Sequence, residues 1–373
     1  MKILHIANWY PSRPTPHSAL WVRNHIKSLS EYAINKIYHI EIRHGKLKIK
    51  RGENEDKSSY LVMYLPKMYW TIIELISFLI ILIIVKKKYQ DFDIVNFHIA
   101  YPNCTYLNLI RKWIKIPMVI TEHWSGYHYN FNISNPQKRK RIQRIFQESI
   151  PVITVSNALM KDIKLFSETT FKGYIVPNIV NTNIFKFEKK KILTGSMRFF
   201  MVSQWKWPKN PFLIIEAWEK VITIFPEATL RIGGYGPQII EIQKMIIELE
   251  LIGNVIFIGE LTPDLVAQEM QNANAFIHCS EYETFSVVCA EALCCGTPVI
   301  ASKVGGIPEY IQSENGILVE NNSSEAFFVR IIDMLNNNWN FDFEMIARDA
   351  SNKFSEKKIG RHYFSILNDI ITN

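Results

Sequence analysis

Short apolar runs alternate with amphipathic stretches along most of the chain. Residues 2–7, 36–42, 60–65, 93–98, 117–121 and 151–155 read as strands. Between them, 19–33, 71–85, 102–112 and 136–149 read as helices. The passage from 176 to about 191 is polar, basic and poorly periodic, and reads as a linker. A second series follows: strand 197–203, helix 210–225, strand 228–233, helix 237–249, strand 254–258, helix 263–272 and strand 275–279. Such alternation predicts an α/β fold of βαβ units with parallel sheets. Two halves joined once suggest a cleft between them, where such folds bind ligands.

Polar chemistry concentrates in residues 280–309. Glu283 and Glu291 flank an apolar run ending at Gly296-Thr297-Pro298, and Gly305, Gly306 and Glu309 follow. The run 285–295 lacks Pro and Gly, so it reads as a helix capped by Thr284 or Ser286 and stopped by Gly296 and Pro298. Residues 299–302 read as a buried strand, and Pro308-Glu309 as the start of another helix. Helical spacing separates the two glutamates by about 12 Å. A glycosidase pair needs roughly 5–9.5 Å. The longer spacing suits a ligand with hydroxyls at both ends and a diphosphate over a helix N-terminus, which describes a nucleotide sugar. The competing reading leaves Glu283 solvated and Glu309 as a helix cap.

These residues resemble the donor-site signature of the retaining family 4 glycosyltransferases of GT-B fold. Among them are the group 1 transferases of bacterial surface polysaccharide and lipopolysaccharide. The matching positions are Glu283, Glu291, Ala292, Gly296, Pro298, Val299, Gly305, Gly306 and Glu309. The resemblance implies two Rossmann-like domains whose parallel sheets face a deep cleft. Residues 1–185 would bind the acceptor and 186–355 the nucleotide sugar, with a helix over 356–373 packing back on the first domain. It further implies that Glu283 touches the donor sugar and that Glu291 holds the ribose hydroxyls. The usual E-G-F-G reads Glu283-Thr284-Phe285-Ser286 here, so Thr284 and Ser286 replace two glycines in the donor site. Gly234 and Gly236 match the family's G-x-G-P turn beside the nucleotide, although as a dinucleotide fingerprint they lack the third glycine. Lys209 matches the lysine that holds the donor diphosphate. Gln204 stands where the family carries arginine, and Lys206 is the candidate to restore that charge. His123, at the carboxyl end of strand 117–121, is implied to meet the donor sugar. His98, His17 and Ser18 are acceptor-side candidates.

The implied activity is retaining hexosyl transfer from a UDP- or GDP-linked sugar to a glycan or lipid-linked acceptor, in surface polysaccharide biosynthesis. Its catalytic residues would be Glu283, His123 and Lys209. The phosphate cradle is basic, so neither a metal nor another cofactor is expected. A nucleotide-sugar epimerase of the same fold, and an inactive glycan- or nucleotide-binding protein, are the alternatives.

Composition changes this picture mainly through charge. The net charge is +8, but residues 1–186 hold 27 Lys/Arg against 12 Asp/Glu, while the remainder holds 16 against 23. A basic first half suggests a polyanionic partner. With no nucleic-acid-binding motif in the chain, an anionic membrane surface is favoured over nucleic acid. Five cysteines without metal or redox spacing read as buried thiols of a reducing compartment. The start of the chain reads as a strand and not as a signal peptide. Segment 71–85 is too short to span a bilayer; with Lys86-Lys87-Lys88 behind it, it reads as a buried or interface-lying helix. The expected location is therefore cytoplasmic, peripheral at the inner face of the plasma membrane.

Overall fold

The computed structural model describes residues 1–13, 19–66, 70–131, 133–188, 197–336 and 340–372. The chain divides into two compact units, 1–179 with 356–373, and 180–355. The first division falls earlier than the 185/186 boundary expected from sequence. Much of the supposed linker is in fact packed: Val176, Ile179, Val180 and Phe185 are buried, and Val180 N–H donates to Phe354 O at 3.0 Å. Residues 189–191 of that linker lie outside the described residues.

The first unit contains β1 (Lys2–Ala7), β2 (Ile34–His44), β3 (Lys48–Glu53), β4 (Ser59–Leu65), β5 (Ile94–His98), β6 (Met118–Glu122), β7 (Val152–Thr154) and β8 (Gly173–Ile175). They form one sheet in the order β3-β4-β2-β1-β5-β6-β7-β8. Every pairing is parallel except β3 with β4, an antiparallel hairpin at the edge that departs from the expected all-parallel sheet. Helices α1 (Leu20–Ser28), α2 (Trp70–Lys88), α3 (Leu107–Trp113), α4 (Pro136–Phe146) and α5 (Asn157–Ser167) fill the crossovers. Three are shorter than their apolar patterns predict: α1 stops at Ser28, α3 begins only at Leu107 and α4 stops at Phe146.

The second unit carries β9 (Arg198–Gln204), α6 (Phe212–Ile224), β10 (Thr229–Tyr235), α7 (Ile239–Glu248), β11 (Val255–Gly259), α8 (Pro263–Asn272), β12 (Ala275–His278), α9 (Val287–Cys294), β13 (Val299–Ser302), β14 (Gly316–Val319), α10 (Ser324–Leu335) and α11 (Phe343–Phe354). Its sheet is wholly parallel, in the order β11-β10-β9-β12-β13-β14. Strand order therefore reverses between β1 and β5 in one unit and between β9 and β12 in the other. In open α/β sheets such a switch point opens a crevice at the strands' carboxyl ends.

The last helix, α12 (Glu356–Thr372), belongs to the first unit. Ile359, Tyr363, Ile366 and Leu367 pack on Ile3, Ile94, Val119 and Ile153, so the helix covers one face of the central strands. Asn96 Nδ2–H donates to the Tyr363 hydroxyl at 2.6 Å, and Thr121 Oγ1 lies 2.8 Å from it. Removing this hydroxyl leaves two buried polar groups short of a partner. Tyr363→Phe is expected to cost about 1–3 kcal/mol, read from the urea midpoint at unchanged m-value.

Candidate functional site

The loop leaving β9 and the loop leaving β12 meet at the switch point of the second unit. Lys209 and Ser280 form an antiparallel bridge, and Asn210 N–H donates to Cys279 O at 3.2 Å. This places the Lys209 ammonium against Glu283 Oε1, which it bonds directly. His278, the last residue of β12, donates from Nε2 to the same oxygen at 2.7 Å. No described residue bonds Glu283 Oε2. Burial alone would raise the Glu283 carboxyl; Lys209 and His278 outweigh it and hold the group down at about 2. Burial keeps His278 below the usual imidazole range, despite the carboxylate beside it.

Glycine chemistry positions this carboxylate. Gly305 has φ 52°, and a Cβ there would overlap the Glu283 carbonyl oxygen. Gly306 N–H donates to that carbonyl at 2.9 Å. Gly234 and Gly236 serve the neighbouring loop: side chains there would strike the backbone of Ser203 and Trp205, while Trp205 N–H reaches Tyr235 O at 2.7 Å. From the other side, the Tyr310 hydroxyl donates to Phe285 O at 2.7 Å and Ser286 O at 2.8 Å, and its ring stacks on Phe285 at 5.0 Å.

Helix α9 begins at Val287, later than the pattern predicts, so Glu291 lies one turn inside it and Glu283 outside it. The rigid 12 Å helical spacing does not apply. Neither Thr284 nor Ser286 caps the helix. Ser286 occupies the cap position in a left-handed conformation (φ 68°), which glycine tolerates best. Its Oγ instead lies 3.2 Å from His278 Nε2 and 3.3 Å from Cys289 Sγ. At the other end, Gly296 and Thr297 donate to Leu293 O and Ala292 O at 2.9 Å each, the two bonds of a Schellman stop. Pro308-Glu309 lies in a single 3₁₀ turn and does not start an α-helix. Glu291 is half-buried, and desolvation pushes its carboxyl up to about 7. Gln204, the last residue of β9, and Lys206 in the loop after it are both exposed.

The first unit assembles a different site. His98 ends β5 and His123 follows β6. His5 Nε2–H donates to Asn35 Oδ1, and His5 Nδ1 pairs with His98 Nε2, each at 3.0 Å. His25 donates to Pro177 O at 3.1 Å, and its ring lies 4.9 Å from that of His123. The Asn178 side chain lies beside the His123 ring, but neither ring nitrogen makes a well-formed hydrogen bond among the described residues. Burial lowers all four imidazoles, His5 and His25 to about 4, and holds His98 and His123 well below the usual imidazole range. Glu122 organises the strand exit: it accepts from Ala100 N at 2.7 Å, His123 N at 2.9 Å, Trp124 N at 3.0 Å and the Tyr127 hydroxyl at 2.6 Å. His17 and Ser18 lie outside the described residues.

Sequence reasoning did not single out His278, Tyr310, His25 or Glu122. His278 and Glu122 each end a buried strand at its carboxyl end, which is a readable signal. Tyr310 and His25 show none, because their partners are distant in sequence. Asp91-Phe92-Asp93 has an Asp-x-Asp spacing but belongs to the opposite edge of the sheet, where Asp93 accepts Lys2 N–H at 2.7 Å ahead of β5. Among the described residues no group of three or more His, Cys, Asp or Glu is placed to hold a metal ion.

The two sites respond to acid in different windows. Lowered histidines contribute stability above about pH 6.5, and that contribution is lost as pH falls toward about 4. Glu283 contributes above about pH 4.5 and loses that contribution as pH falls through about 2. Calorimetry is expected to show unfolding temperature falling first between pH 6.5 and 4. His123→Phe should flatten that upper slope, and Glu283→Gln only the lower one. Glu291, raised to about 7, gains stability over part of the same fall, so the deciding comparison is wild type against His123→Phe: identical slopes above pH 4 would contradict the buried, neutral cluster.

Known proteins match the chain over most of its length. Residues 22–184 match the family described as Glycosyltransferase Family 4, and residues 183–357 the family described as Glycosyl transferases group 1. The N-acetyl-alpha-D-glucosaminyl L-malate synthase of Bacillus anthracis is 25% identical over 295 residues, covering 76% of each protein. Among solved structures, the apo lipopolysaccharide outer core galactosyltransferase WaaB superposes with a TM-score of 0.77 at 18% identity, covering 100% of this chain and 99% of the other. Anabaena HepE in complex with UDP-glucose gives 0.67 at 17% identity, covering 99% and 100%. At that identity the structures establish the fold, which is GT-B. Matched in consecutive halves from residue 22 to residue 357, the chain belongs to the family 4, group 1 glycosyltransferases.

Proposed function

We propose that this glycosyltransferase moves a hexosyl group, with retention, from a nucleotide diphosphate sugar to a glycan or lipid-linked acceptor in surface polysaccharide or lipopolysaccharide assembly. The observation that carries the donor side is the convergence of Lys209, His278 and Glu283 at the β9/β12 switch point. Glu283 Oε1 is held by two donors, which leaves Oε2 to accept from a sugar hydroxyl. Lys209 supplies fixed positive charge where a diphosphate gathers negative charge on leaving. The first turn of α9 adds unpaired N–H groups and the positive end of its dipole. Glu291, its carboxyl raised by burial, is assigned to the ribose diol.

His123, buried and neutral beside Asn178, is the first-unit residue assigned to the donor sugar, with His98 on the acceptor side. The leaving phosphate takes the acceptor proton, and no metal is required. The donor carries UDP or GDP, a reading supported on the UDP side by the UDP-glucose bound to the structurally similar HepE. The acceptor reading places the enzyme peripherally at the inner face of the plasma membrane. Among the described residues, no helix is long and apolar enough to cross a membrane.

A thermal-shift and donor-hydrolysis screen with UDP-, GDP- and ADP-sugars tests the reading. One UDP- or GDP-linked donor is expected to stabilise the protein selectively. Lys209→Ala and Glu283→Ala should each lower turnover by about 10²–10³-fold, and EDTA should leave activity intact. Failure of every nucleotide sugar to bind would overturn the assignment.

A further inference from the structure

Helix α2 is buried the wrong way round for a protein surrounded by water. It is apolar on nearly every side, so the fold had ample Leu and Ile to turn inward. Its buried positions instead include its two interior polar residues, Glu74 and Ser77, together with Ile81 and Val85. Glu74 pairs with Arg141 of α4, whose guanidinium also bonds the Tyr106 hydroxyl and lies 5.0 Å from the Trp70 ring centroid. That lock sets the rotation of the helix. Ile72, Leu75, Leu79 and Ile83 consequently face outward, 38%, 48%, 48% and 55% exposed. They follow the same three- and four-residue spacing as the buried row and form an apolar stripe about 16 Å long. Lys86, Lys87 and Lys88, all exposed, continue the helix beyond it.

We infer that α2 is the docking surface for an anionic lipid bilayer. The stripe enters the boundary between head groups and acyl chains while the three lysines lie on lipid phosphates. This specifies the membrane partner of the function proposed above and takes its biological meaning from that reading. Charge favours lipid over a second copy of the chain. A second copy would bring the same excess of 27 Lys/Arg over 12 Asp/Glu in residues 1–186 against its like, whereas phosphatidylglycerol supplies the missing negative charge.

The full chain should be co-sedimented with phosphatidylcholine vesicles, with and without phosphatidylglycerol, at low and high salt. Wild type is expected to pellet with the anionic vesicles at low salt and to be released as salt rises. The Leu75→Ser/Leu79→Ser variant should bind about tenfold more weakly or worse. Ile83→Ser alone should fall between the two, which keeps the test valid if the double variant misfolds. Lys86→Gln/Lys87→Gln/Lys88→Gln should lose most of the salt dependence. Any nucleotide-sugar thermal shift should survive in all three, so a fault in the donor reading shows separately, as an absent shift in wild type. Three results would overturn the inference: no binding of wild type to anionic vesicles, serine variants that bind like wild type, or a dimer in sedimentation velocity that the serine variants dissociate.

Discussion

A carboxylate loses several kcal/mol of hydration on burial unless opposite charge and hydrogen-bond donors replace it. Much of the second unit's local architecture follows from meeting that condition at Glu283. Three segments must arrive together: the loop after β9 with Lys209, the end of β12 with His278, and the 283–286 loop itself. Parallel strands bring the first two side by side, because β9 and β12 are neighbours in the sheet. The third is pressed into place by Gly305 and Gly306, and tied down by the hydroxyl of Tyr310. Glycine at 305 is therefore a packing requirement before it is a motif letter.

The first unit solves the same positional problem with opposite chemistry. Its switch-point strands carry neutral imidazoles instead of an ion pair, His5 within β1 and His98 at the end of β5, and the buried carboxylate of Glu122 on β6 is spent on backbone and tyrosine donors. One unit thus presents charge at its carboxyl edge and the other presents uncharged rings with spare nitrogens.

Much of this was legible in the residues. The 2–7 strand, the α8 helix over 263–272 and the α/β alternation follow from period and punctuation alone, and the motif around Glu283 names its own neighbourhood. The hairpin strand β3 was not readable: Lys48–Glu53 is almost wholly exposed, so its alternation carries no burial signal. The Ser286 cap failed for a tertiary reason, since its hydroxyl is drawn to His278, eight residues earlier in the chain. The orientation of α2 was hidden as well. A helix apolar all round has no preferred face in sequence, and Arg141, 67 residues further along the chain, decides it.

The return of α12 to the first unit has a consequence for the order in which the molecule is made. During synthesis the first unit's strands emerge early, but Tyr363 and the apolar face that cover Ile3, Ile94 and Val119 emerge last. Until residue 363 is made, that sheet face lacks its cover, and Asn96 and Thr121 lack their shared hydroxyl. The second unit, contiguous from 180 to 355, completes itself first. Against the usual amino-to-carboxyl order of domain folding, the first unit to leave the ribosome is the last to close.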